Sequence, residues 1–171
     1  MKSEPSTDCE ASIFCHHTGG SPELYHYTEC GLDDIWLSGG YEKVTTEEGE
    51  GVSVMNDEEL HEVIGHFLVT AKKVLSGKEL RFLRKEMDLT QAELGQLVGL
   101  SDQQVARWEK ETYEIPSSAD HLLRVLYLDH IGRRVNVRDL LTTLEETDAD
   151  EAISRQEFAL DDGSWVPKLA A

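Results

Sequence analysis

Apolar positions follow two regimes along the chain. Up to residue 55 they fall in short runs broken by glycine, and beyond it they recur at three- and four-residue steps. Ile35–Leu37 and Tyr41–Val44 lie on either side of Ser38-Gly39-Gly40, and Val52–Met55 follows. These runs are rich in aromatic and β-branched residues, which predicts three strands. From Asp57 to about Val74, the residues Leu60, Val63, Ile64, Phe67 and Leu68 form one stripe of a helix, with Asn56 as its cap and Glu59 three residues on.

Helix start signals then repeat. Ser76 with Glu79, Thr90 with Glu93, and Ser101 with Gln104 are capping-box pairs, able to satisfy the free N–H groups of a first helical turn. They predict helices over Gly77–Met87, Gln91–Val98 and Asp102–Lys110. Pro116 opens a further helix over Ser117–Asp129, with Leu122, Val125 and Leu126 on one side. Val137, Leu140, Leu141 and Leu144 fall at i, i+3, i+4 and i+7, predicting a last helix over Val137–Glu145. The end of the chain, "DDGSWVPKLAA", has little periodicity and is expected to be loose. The expected organisation is a flexible arm over residues 1–22, a small α+β module over 23–75, a helical domain over 76–131, and a C-terminal helix with a loose tail over 132–171. The fold class is mainly α with a small N-terminal β-rich module.

Charge changes this picture. The net charge is -18, but Lys72–Arg138 holds 12 Lys/Arg against 10 Asp/Glu, while the remainder holds 4 against 24. The acid sits in flanks such as "TEEGEG", "NDEELHE" and "EETDADE", so the middle of the chain is the part suited to meet a polyanion. The flanks read as solubilising surface or as a contact for a basic protein. No apolar run approaches the roughly 20 residues of a membrane span. The polar N-terminus lacks the apolar stretch of a secretory signal, and three cysteines at irregular spacing suit a reducing compartment, so a cytoplasmic protein is expected.

The middle segment carries the chemistry. In "TQAELGQLVGLSDQQVARWEKE", Gly95 is the small residue that lets one helix approach another, Gly99 tolerates the turn, and Val105 and Trp108 anchor the second helix. Asp102, Gln103, Gln104 and Arg107 then face outward. Gln pairs with adenine, Arg with guanine, and Asp accepts from cytosine, so these four are the candidate base readers. Thr90 and Gln91 stand at a helix N-terminus, where a phosphate is favoured, and Lys110, Arg84 and Lys85 are further candidate phosphate contacts.

"ELRFLRKEMDLTQAELGQLVGLSDQQVARWEKE" followed by "IPSSADHLLRVLYL" resembles the lambda-repressor-like helix-turn-helix family, the Cro/repressor or XRE class. The resemblance implies a five-helix bundle whose third helix, Asp102–Lys110, enters the major groove, in a two-fold dimer. It implies an Arg84–Glu109 pair, making Arg84 partly structural. Where the family often has Gly after the recognition helix, this chain has Glu111, so the local turn geometry is left open. The overall layout is also similar to bacterial antitoxins that join a β-rich, often zinc-binding module to a helix-turn-helix, although no CxxC pair occurs here.

The expected function is a sequence-specific DNA-binding regulator, a repressor that binds a palindromic operator as a homodimer. The alternatives are an antitoxin that neutralises a basic toxin and represses its own operon, and a protein-binding adaptor. No enzyme is expected: in "HEVIGH" the two histidines stand five residues apart, about 140° round a helix, unlike a metalloprotease pair. No cofactor is expected either. Cys15, His16, His26 and Cys30 are the candidate zinc ligands, but "CHH" is adjacent where tetrahedral zinc takes spaced pairs.

Overall fold

The computed structural model describes residues 23–46, 49–146 and 155–168. The arm expected over residues 1–22 therefore lies outside the described residues, with Cys15 and His16. In chain order the elements are β1 (Tyr25–His26), β2 (Ile35–Leu37), β3 (Tyr41–Thr46), β4 (Gly49–Val54), α1 (Asp57–Ala71), α2 (Gly77–Glu86), α3 (Gln91–Val98), α4 (Asp102–Glu109), α5 (Ser117–His130), α6 (Val137–Glu146), β5 (Gln156–Asp161) and β6 (Ser164–Lys168).

Three predicted caps form as the sequence implies. Ser76 and Glu79, and Thr90 and Glu93, make reciprocal capping boxes, and the Ser101 hydroxyl accepts from the Gln104 N–H. Each such cap contributes about 1 kcal/mol to its helix. Asn56 behaves otherwise. It sits in the left-handed region at φ 49° with no cap to the α1 backbone, and its amide donates to the Glu59 carboxylate instead.

Two sheets replace the single expected run of strands. Ser38-Gly39-Gly40 does not close a hairpin between β2 and β3 but carries the chain from one sheet to another. β3 pairs with β4, while β2 lies in a sheet of order β1-β2-β5-β6. The loose tail expected at the C-terminus is corrected here. β5 runs parallel to β2, with Leu37 opposite Phe158, and turns back through Asp162 and Gly163, both at positive φ, into β6. The hairpin is held by burial: Phe158 is fully buried edge-on to Phe67, and the Trp165 indole covers Gly40 while donating to the Met55 carbonyl at 2.8 Å. Pro167 lies on β6, the edge strand, where a missing N–H costs no ladder bond.

The helix count differs from the five-helix bundle that the resemblance implies and agrees with the six helices read from the spacing. Six helices are present among the described residues, and α1 belongs to the bundle, packing on α2, α5 and α6. One apolar cluster runs from Tyr27 and Leu37 of the β part through Leu60, Ile64 and Leu68 of α1 to Leu83, Trp108 and Tyr127. The α1–α5 crossing is close because Gly65 has no side chain; a Cβ there would stand 2.0 Å from the Tyr127 hydroxyl. Gly65→Ala is expected to destabilise the chain by about 1–3 kcal/mol, since Tyr127 is buried and cannot swing away. A thermal melt checks this, and an unchanged midpoint would mean that α1 shifts freely on α5.

Polar links tie the same parts together. The His61 ring lies between the Tyr27 hydroxyl at 2.8 Å and the Glu86 carboxylate at 3.1 Å, joining the chain before β2 to α1 and the end of α2. His66 is half-buried, and its pKa is lowered by burial and then by the nearby Arg133, against the opposing pull of Glu62. Among the described residues no helix is long and apolar enough to cross a membrane.

Candidate nucleic-acid interface

The α3–α4 pair is built by the residues that the crossing demands. Gly95 lets the turn pass close: a Cβ there would meet the Leu100 carbonyl at 2.8 Å. Gly99 ends α3 in the left-handed conformation, φ 74°, a backbone that glycine adopts at least cost. Val105 and Trp108 are buried and fix the inner face of α4. Its outer face is left with Asp102, Gln103 and Arg107 exposed and Gln104 half-buried.

α4 is oriented by one carboxylate. Glu109 receives Arg84 Nε at 2.6 Å and Nη2 at 3.3 Å, together with the Gln91 amide at 2.8 Å. Arg84 Nη1 donates to the Leu89 carbonyl at 2.6 Å. The Arg84 and Glu109 side chains are only 11% and 5% exposed, so three helices meet at an ion pair shielded from water. The expected pairing of Arg84 with Glu109 is therefore present. The guanidinium, also expected to touch phosphate, makes its hydrogen bonds within the protein and is 11% exposed.

The other candidate phosphate contacts are placed unequally. Lys110 is exposed at the end of α4. Gln91 stands at the start of α3 with its amide committed to Glu109. Thr90 caps α3, and the Glu93 carboxylate accepts from both its N–H and its hydroxyl, each at 2.7 Å. Those bonds hold the Glu93 carboxyl below the usual carboxylate range, and they set an anion at the helix end expected to take a phosphate. The first-turn N–H groups of Gln91 and Ala92 take no part in that box. Lys85 is exposed in a cleft shared with Glu58, Glu62 and Tyr127, on the α1–α5 side of α2.

The sequence left the turn after α4 open, and Glu111 settles into it. Its φ is 56°, the left-handed conformation in which glycine is usual, and its N–H donates to the Trp108 carbonyl at 2.9 Å. The turn geometry is thus kept without glycine. Two features were not foreseen from sequence. Arg107 lies over the Tyr113 ring, 5.6 Å from its centre, which steadies a long side chain from the far side of that turn. The start of α2 also nests against the end of α4: a Cβ on Gly77 would lie 2.2 Å from the Trp108 carbonyl.

Of the candidate zinc ligands, His26 and Cys30 lie among the described residues, and Cys15 and His16 lie outside them. The His26 ring stacks on Trp36 at 4.4 Å, with Nε2 2.5 Å from the Asp33 carbonyl. Cys30 is half-buried with its Sγ on the Tyr27 carbonyl, and burial pushes its thiol up to about 11.

A recognition helix held by a glycine-turned partner, with amides and a guanidinium on its free face, defines a DNA-binding helix-turn-helix. Residues 80–120 match the family described as helix-turn-helix, and over that span the chain carries the lambda-repressor-like, XRE-type DNA-binding domain of transcription regulators. No curated protein and no solved structure matches the chain.

Proposed function

We propose that the protein is a sequence-specific transcriptional repressor that binds a palindromic operator as a homodimer. Asp102, Gln103, Gln104 and Arg107 read base edges, and Lys110, with Thr90 and Gln91 at the start of α3, positions the protein on phosphates. The observation that carries this reading is the exposed polar face of α4 on a helix whose inner face is fully committed to packing. A salt-titrated gel shift on the DNA upstream of its own gene tests it. A specific complex that weakens steeply with salt is expected; an adaptor protein would give none.

Arg107→Ala is expected to lose about 1–3 kcal/mol of discrimination at one base position, with little change in stability because the side chain is exposed. Equal weakening on every sequence would make Arg107 a phosphate contact instead.

A second reading, an antitoxin that also represses its own operon, is favoured by the charge asymmetry alone. With 24 Asp/Glu against 4 Lys/Arg outside Lys72–Arg138, the flanks suit a basic partner. Salt-sensitive co-purification of a small basic protein encoded beside it would support that reading.

A further inference from the structure

Arg84 and Arg124 each bind a carboxylate and spend their donors inside the protein. Arg107 does neither. It is exposed, and among the described residues its guanidinium makes no ion pair and no hydrogen bond. It lies over the Tyr113 ring, with the guanidinium carbon 5.6 Å from the ring centre. Tyr113 is 56% exposed, so burial of the ring is not what places it there.

The turn after α4 brings that ring back to the helix. The Thr112 N–H donates to the Arg107 carbonyl at 3.0 Å, beside the Glu111 bond to the Trp108 carbonyl, so the chain folds over the end of α4. The same turn sends Glu111 the other way. Its Cγ lies against the start of α2, 2.8 Å from where a Cβ on Gly77 would stand. Glu109, the other acid within four residues after Arg107, is taken by Arg84 and Gln91. An aromatic ring thus fills the place beside Arg107 that a carboxylate could have taken.

The difference matters for base reading. A carboxylate accepts from the same N–H fork that pairs with guanine O6 and N7, and it would have to be displaced on binding. A ring attracts the cation through its π face and leaves those donors free. It also narrows the range of a long side chain, which lowers the rotamer entropy that a base contact costs. We infer that Tyr113 is a specificity-determining positioning residue, which aims Arg107 at a guanine without itself touching a base. The inference rests on the reading that Arg107 contacts a base edge.

Anisotropy titrations of the full chain on its operator, and on operators changed at one base pair at a time, test it. Tyr113→Leu keeps apolar bulk but removes the π face. It should relax discrimination about two- to fivefold, the worth of an exposed cation–π contact, at the one position that Arg107→Ala relaxes. Melting temperature and affinity for random DNA should not change. Tyr113→Phe, which keeps the ring and loses the hydroxyl, should discriminate as the parent chain does. On the Arg107→Ala background, Tyr113→Leu should add nothing. Full discrimination in Tyr113→Leu, beside a loss in Arg107→Ala, would overturn this inference and leave the base reading intact. Equal weakening on every sequence, a loss in Tyr113→Phe, or an added loss on the Arg107→Ala background would make Tyr113 a DNA contact of its own and overturn it too. If no specific complex forms, or Arg107→Ala relaxes no position, the base reading itself fails and this inference with it.

Discussion

Asp120→Ala is expected to cost about 3–5 kcal/mol of stability, the largest effect of any single substitution considered for this chain. Arg124 is fully buried and Asp120 is 5% exposed. The guanidinium donates to both Asp120 carboxylate oxygens, Nε at 2.6 Å and Nη2 at 3.3 Å, and Nη1 and Nη2 also bond the Leu68, Val69, Lys72 and Lys73 carbonyls. Leu68 and Val69 lie in the last turn of α1 and Lys72 and Lys73 just follow it, so one side chain of α5 both caps α1 and fastens it. The carboxylate also accepts the Leu75 N–H at 3.2 Å, which turns the chain into α2. Removing the carboxylate leaves a cation in the core with only neutral acceptors. Against a total stability of about 5–15 kcal/mol, that leaves a marginal fold. Urea denaturation measures it. Replacing both partners, Asp120→Leu with Arg124→Met, should recover part of the loss, because no charge is then stranded; recovery stays incomplete because the α1 carbonyls still lose their donors. A loss near zero for Asp120→Ala would mean that water reaches Arg124.

What could be read in the sequence followed locality. Ser76-Glu79 and Thr90-Glu93 are decided within four residues, and the spacing of Gly95, Gly99, Val105 and Trp108 fixes one crossing between adjacent helices. The α3–α4 unit was therefore legible almost to the residue. The clamp of Arg124 on the end of α1 was not, because the carbonyls it binds, from Leu68 to Lys73, lie more than 50 residues away. The same holds for β5 beside β2, a parallel pairing with about 120 residues between partners such as Leu37 and Phe158. The β5–β6 hairpin did leave a local trace. Asp162-Gly163 between two short apolar runs is the dipeptide that favours a tight hairpin, and both residues take positive φ. Its strands are too brief for periodicity to show, and Pro167 masks the second. At the candidate interface the Thr90–Glu93 box that the sequence predicts already places the Glu93 carboxylate at the start of α3.

Glu109→Ala should separate the framework of the recognition helix from its reading face. It removes the acceptor of Arg84 Nε and Nη2 and of the Gln91 amide, leaving Arg84 with the Leu89 carbonyl alone. The stranded guanidinium is 11% exposed, and so partly reachable by water. The expected loss is about 3 kcal/mol, at the low end for breaking a buried pair. Glu109→Gln keeps an acceptor without the charge and should fall between. DNA binding should respond in a pattern unlike that of Arg107→Ala. Where the protein is still folded, loosening α4 against α2 and α3 should cost affinity for the operator while leaving salt-dependent binding to random DNA nearly intact, because exposed cations such as Lys110 are untouched. Arg107→Ala should instead keep full stability and lose selectivity at one position. Denaturation and paired titrations on operator and random DNA distinguish the two. Unchanged stability in Glu109→Ala would mean that the apolar anchors Val105 and Trp108 hold α4 unaided, and that the ion pair beneath it only fills space.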